Sequence, residues 1–277
     1  MRTLPASLLL LVLLPACDRE PALLRQGRKA EAVGALSRAF LQSVEAEKSA
    51  VLATTDEESV RFADESRRAA ARVEQVLPVL RALVAVDSRE VEAQRLEAFA
   101  TAWAAVAAID ARLLPLAVAN TNLQAAHLST HQAAEALGTL VSLLQARAAE
   151  ERDPDRLRVL ARAEVAALTI QTLHPPHIAS PSDPEMADLE ARITGLAQVV
   201  DGVLAAPPEG RWRTDALRAW REYQALTAEV LRLSRENTNV RSFALSVHEK
   251  REASTACDAA LQALAAEVVA PGPWPTR

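Results

Sequence analysis

Shifting the chain by 117 residues lays segment 103–150 on segment 220–267 without a gap, and 19 of the 48 paired positions are identical. Chance pairing in so Ala/Leu-rich a chain agrees at roughly a tenth to an eighth of positions. The chain therefore reads as an internal duplication, and any fold for it has to contain two like halves. Agreement is densest where Asn120-Thr121-Asn122-Leu123, Leu128-Ser129 and His131 meet Asn237-Thr238-Asn239-Val240, Leu245-Ser246 and His248. Upstream the match fades, although Ala46-Glu47 still meets Ala163-Glu164.

Each half has the composition of helices. Half the residues are apolar but only 3% are aromatic, and 7 glycines and 15 prolines are too few for the turns of a sheet-rich fold. The expected class is all-α, as two tandem up-down four-helix bundles. In the first copy a helix from about 21 to 53 ends at Thr54-Thr55, where Thr55 and Glu58 form a capping box for a helix running to about 86. The third helix carries Leu96, Phe99, Trp103, Val106, Ile109, Leu113 and Leu116 on one face, repeated by Trp220, Tyr223, Leu226, Val230 and Leu233. Trp103 and Trp220 read as core anchors. Asn120-Thr121-Asn122 reads as a tight turn, because Asn tolerates the left-handed conformation and Thr121 with Gln124 makes a new capping box. A fourth helix then runs to about 152.

Asp153-Pro154 starts the second copy with a cap followed by a proline. Its helices are expected to about 173, from 183 to 207, from 212 to 236 and from 239 to 269, with a loop over His174-Pro175-Pro176-His177. Pro78 and Pro115 fall inside expected helices, where each costs roughly 3 kcal/mol or marks a kink. The expected domains are a first bundle over 17–152, a second over 153–270 and a Pro-rich tail over 271–277. With so short a junction the bundles lie either side by side or end to end, and the Asp-Pro break favours side by side.

The amino terminus stands apart. Met1-Arg2-Thr3 precedes an apolar run over 4–14, too short to cross a bilayer as a helix, and Leu14-Pro15-Ala16-Cys17 closes it. The pattern is an export signal over 1–16. Ordinary signal peptidase prefers small residues at −3 and −1, whereas the lipoprotein enzyme takes Leu at −3 and Cys at +1. Leu14 and Cys17 fit the second and resemble the lipobox of bacterial lipoproteins, with Pro15 as a departure. On that reading Cys17 is the lipid attachment, the chain faces the periplasm from the inner or outer membrane, and Cys257 has no disulfide partner. No other run reads as a membrane span. A net charge of -5 gives no basic field for a phosphate backbone, so nucleic acid is not an expected partner.

The run from Glu47 through Thr54-Thr55-Asp56-Glu57-Glu58, the break at Asp87 and the stretch from Leu96 to Trp103 resemble the four-helix ligand-binding domain of bacterial methyl-accepting chemotaxis receptors. The resemblance covers residues 25–150 and is weaker in the second copy. It implies a sensory module that binds a small ligand and reports to an envelope or chemosensory partner, as helical bundles with coiled-coil packing. The second transmembrane helix and the signalling region of such receptors have no counterpart in this sequence, and no ligand-binding arginine of the family can be matched.

Catalytic and cofactor motifs are missing: the sequence has no phosphate loop, nucleophile elbow, haem attachment or paired-cysteine spacing, so neither an enzyme nor a cofactor is expected. The one metal-like set is His127, His131 and Glu135 at i, i+4 and i+8, which the second copy keeps only as His248 and Glu252, and which reads better as a surface helix pair. His174 and His177 read as an exposed loop pair. Asn120, Asn122, Asn237 and Asn239 are candidate ligand residues, with the turn as their simpler role. Two readings follow: a lipid-anchored envelope sensor, or a structural and protein-interaction lipoprotein without a small ligand.

Overall fold

The computed structural model describes residues 21–87, 89–206 and 210–269. The expected leader over 1–16, Cys17 and the tail over 271–277 lie outside the described residues. The molecule is all-α, with no strand among the described residues. Helices α1 (Ala22–Leu52), α2 (Asp56–Asp87) and α3 (Glu90–Ala119) lead to α4, which covers 121–150 as Thr121–Leu128, a π turn at Ser129–Ala133 and Ala134–Glu150. Then come α5 (Pro154–Ala179), α6 (Asp183–Ala205) and α7 (Arg211–Glu236). The last, α8, covers 238–269 with a π turn at Ser246–Lys250.

Caps explain most of the boundaries. Thr55 Oγ1 accepts from Glu58 N at 3.2 Å, and Asp153 Oδ1 accepts from Asp155 N at 2.9 Å with Pro154 in the first turn. Ser182 does the same for α6. Asn120 (φ 50) and Asn237 (φ 54) are the only left-handed residues outside glycine among those described, and each ends one helix and starts the next. The expected Thr121 cap is not made: Gln124 N bonds Asn120 O, and the Thr121 hydroxyl turns to Thr238.

The loop expected at His174 is not there. α5 runs through Pro175 and Pro176 to Ala179, and both histidines are buried. The two prolines leave the carbonyls of Gln171 and Thr172 without their helical donors, a cost that packing of Leu173, His174 and His177 has to offset. α2 and α3 likewise continue through Pro78 and Pro115.

Packing departs from two sequential bundles. One core joins Leu36 and Phe40 of α1, Val73 and Leu80 of α2, and Phe99 and Trp103 of α3 to Cys257, Leu261 and Leu264 of α8. The other joins Leu137 and Leu140 of α4, Ile170 of α5, Ile193 of α6, and Trp220 and Tyr223 of α7. The first bundle is therefore 21–119 closed by 238–269, and the second is the continuous stretch 121–236. Segments 17–152 and 153–270 do not each close a bundle of their own. α3 packs against α8 rather than α4; with segments 103–150 and 220–267 alike in sequence, the arrangement is that of a domain swap within one chain. The bundles meet end to end, at the first turns of α4 and α8, rather than side by side.

Trp103 and Trp220 are buried anchors of the two cores; truncating either to Ala is a loss of about 3–5 kcal/mol. The stripe itself rotates slightly. Asp110 and Thr227 are buried where the apolar pattern places Ile109 and Leu226, which are only half-buried. By length and composition the run Glu90–Glu150 is apolar enough to cross a membrane, which corrects the expectation that no such run exists; a third of its most apolar window is buried within the protein.

Candidate functional site

The two Asn-Thr-Asn segments face each other where the helices cross. Thr121 N donates to Thr238 Oγ1 (3.0 Å) and Thr238 N to Thr121 Oγ1 (3.3 Å). Asn122 N donates to Asn239 Oδ1 (3.2 Å) and Asn239 N to Asn122 Oδ1 (3.1 Å). The side-chain amides close the set: Asn122 Nδ2 reaches Asn237 Oδ1 and Asn239 Nδ2 reaches Asn120 Oδ1. Asn120 also donates to Asp56, Asn122 to Ile178 O and Asn237 to Ser180 O. All four candidate asparagines are thus committed to the crossing. Their amides bind protein, and the arrangement is a polar lock rather than a ligand seat.

The first bundle buries charge that sequence reasoning missed. Lys250, in the π turn of α8, pairs with Asp110 of α3 at 2.5 Å. Glu47 of α1 lies beside them, fully buried and near the Ser246 hydroxyl, with no hydrogen bond of ordinary geometry to either oxygen. Burial raises the pKa of both carboxyls, against the attraction of Lys250. At the far end Lys29 and Glu92, both fully buried, pair at 2.5 Å, with Asp87 and Arg89 completing the group. The available signal was Asp110, a charge inside an apolar stripe.

The second bundle holds a polar string and a cleft. His174 Nδ1 lies 2.9 Å from Ser129 Oγ, in the π turn of α4, and its Nε2 has no partner. Burial, with His177 nearby, lowers the His174 pKa to about 4, so the ring is neutral at pH 7. His177 lies between Ser234 Oγ (2.8 Å) and Glu190 Oε1 (3.0 Å), and Arg235 holds that carboxylate below its usual range. Beside this string a cleft of about 320 Å³ opens between α6 and α7, with Ile170 and Ile193 on its apolar wall. Trp220 and Tyr223 lie beneath its floor, both buried. Trp220 Nε1 donates to Asp201 Oδ1 at 2.6 Å, and the Tyr223 hydroxyl donates to Gln171. Thr227 Oγ1 is buried behind the cleft wall near the Tyr223 hydroxyl, without a hydrogen bond of ordinary geometry. Apolar walls with a few fixed polar groups are the usual make-up of a small-molecule site.

The metal-like set is not assembled. His127 and His131 stack at 4.2 Å on the surface, and the π turn Ser129–Ala133, which contains His131, adds a residue to the helical phase that the i+8 spacing assumed. The described residues contain no group of three His, Cys, Asp or Glu side chains able to hold a metal ion. No family model, no curated protein and no solved structure matches the chain.

Proposed function

We propose that the chain is a lipid-anchored ligand-binding module of the bacterial cell envelope, akin to the sensor domains of chemotaxis receptors, with its ligand seated in the cleft between α6 and α7. One observation carries this reading: the cleft between α6 and α7 is walled by apolar side chains, with Asp201 at its exposed rim as the one charged group among the lining residues. A ligand that covers that apolar wall removes it from water. The support for the anchor is the Leu14-Pro15-Ala16-Cys17 sequence, and the bundle fold agrees with a sensory role by analogy.

The test is a thermal-shift screen of the mature chain against amino acids, organic acids, amines and metal ions, repeated on Ala197→Phe, which fills the cleft. A saturable rise in Tm that Ala197→Phe removes is expected. No shift with any compound class would leave the structural-lipoprotein reading in its place. For the anchor, Cys17→Ala is expected to leave an unprocessed precursor, and mass spectrometry of the wild-type amino terminus is expected to find acyl chains on Cys17; a mature form without lipid would overturn that part.

A further inference from the structure

We infer that the pole of the first bundle from which α1 starts, tipped by Leu23, Leu24, Val86 and Val91, seats on a lipid bilayer; this rests on the reading of Cys17 as the lipid attachment. Leu23 and Leu24 lie in the first turn of α1, Val86 one residue before the end of α2 and Val91 one residue after the start of α3. Ion pairs of Arg25 and Lys29 with Asp87, and of Lys29 with Glu92, hold these three helix ends together. Gln26 Nε2 donates to Val268 O, so α8 ends at the same pole. The four apolar side chains are between 48 and 86% exposed. An exposed leucine standing alone is ordinary; four such side chains at one tip, contributed by three helices, mark an interaction surface.

The occupant follows from the reach of the chain. Cys17 stands four residues before Pro21, a span of at most about 14 Å when fully extended. Acyl chains on Cys17 therefore keep this tip beside the headgroups, at an effective concentration that no diffusing partner matches. Behind the tip, Arg25, Lys29 and Arg89 are engaged by Asp87 and Glu92, so the seat is apolar rather than a basic patch for anionic headgroups. The opposite pole of the molecule, where α4 ends and α5 begins, presents Arg152, Asp153, Asp155, Arg156 and Arg158 to water instead. α3 separates the tip from the helix crossing by 30 residues, about 45 Å at 1.5 Å per residue. The first bundle thus stands on the membrane, and the second, with its cleft, is carried beyond it.

The experiment is flotation of the mature chain bearing Cys17→Ser, which carries no acyl chain, with vesicles of phosphatidylcholine and of phosphatidylcholine with added phosphatidylglycerol. The chain is expected to float with both alike and to stay bound in high salt. Combining Leu23→Ser, Leu24→Ser and Val91→Ser is expected to weaken the partitioning by on the order of tenfold, with an unchanged Tm because all three positions are exposed. Val159→Ser with Val165→Ser, exposed on the second bundle, is expected to change nothing. No flotation, or flotation that survives the triple substitution, overturns the inference. So does binding confined to phosphatidylglycerol and lost in salt. Loss of flotation on removing 271–277 alone would assign the contact to the tail, and a dimer abolished by the triple substitution, without flotation, would assign the tip to a second copy; either overturns it. Acyl chains on the wild-type Cys17 with no flotation of the Cys17→Ser chain keep the anchor and remove the seat. Flotation of that chain with no lipid on the wild-type protein keeps the seat and removes the anchor.

Discussion

Glu47 shows how far a single residue can escape pattern reading. It sits among charges in its own sequence, Glu45 and Lys48, and reads as solvated surface, yet its carboxyl is fully buried, with chiefly the Ser246 hydroxyl and the Lys250 charge to offset its desolvation. Because burial raises its pKa above the ordinary value of 4.5, the native state holds the proton more tightly than the unfolded chain. The stability it contributes is complete below about pH 4.5 and is lost as pH rises through the raised native value. Asp110, raised by the same cause, adds to the trend. Glu47→Gln is therefore expected to stabilise the protein at pH 8 by on the order of 1 kcal/mol, with the gain gone near pH 4. Urea unfolding of both proteins across that range measures it, and an equal difference at both ends would refute the cause given. His174 works in the opposite sense. Its ring is held neutral down to about pH 4 against an ordinary 6.5, so its contribution is present above 6.5 and lost on acidification towards 4. Neither buried group was legible, since apolar periodicity registers oily positions and passes over a charge whose partner lies on a distant helix.

At the level of helices the sequence was far more open. Thr55 with Glu58 and Asp153 with Pro154 mark true starts, and the third expected start at 183 holds with Ser182 as its cap, because capping is a local interaction between near neighbours. His174-Pro175-Pro176-His177 misled for the converse reason: local propensity argued for a loop, and burial of both imidazoles in the second bundle overrode it. The asparagine junctions were half-read. The left-handed conformation was anticipated, but not that the following helix leaves for a different partner. That conformation costs a β-branched residue roughly 1–2 kcal/mol and glycine almost nothing. Asn237→Gly is thus expected to lose only the side-chain bonds to Asn122 and Ser180, about 1–2 kcal/mol, and Asn237→Val roughly twice that. Chemical denaturation of the two variants separates backbone from side-chain terms; equal losses would show that the φ of 54 matters little.

For the whole molecule, partner choice was the least legible property. The apolar stripe on α3 specifies that a helix packs there without specifying which, and duplication makes α4 and α8 near-equivalent candidates. The outcome is that one bundle is continuous, 121–236, and is set into the other, whose parts lie on both sides of it. A fragment spanning 120–237 is accordingly expected to fold alone as a cooperative helical monomer. A fragment spanning 21–152, which matches one repeat, is expected to dimerise through the apolar face that α8 normally covers. Size-exclusion chromatography with thermal circular dichroism tests both, and a stable monomeric 21–152 would mean that α4 can fold back on α3.

The inserted arrangement also sets an order of events for a chain delivered from its amino terminus. α1, α2 and α3 emerge first, yet the surface formed by Leu36, Phe99 and Trp103 is completed only when Leu261 and Leu264 arrive, after the inner bundle has had time to close. Contacts so distant in sequence carry the greatest loop-closure delay. During synthesis the earliest part of this protein is therefore the last to become safe from aggregation, and a truncation that removes only the final helix strikes the beginning of the chain.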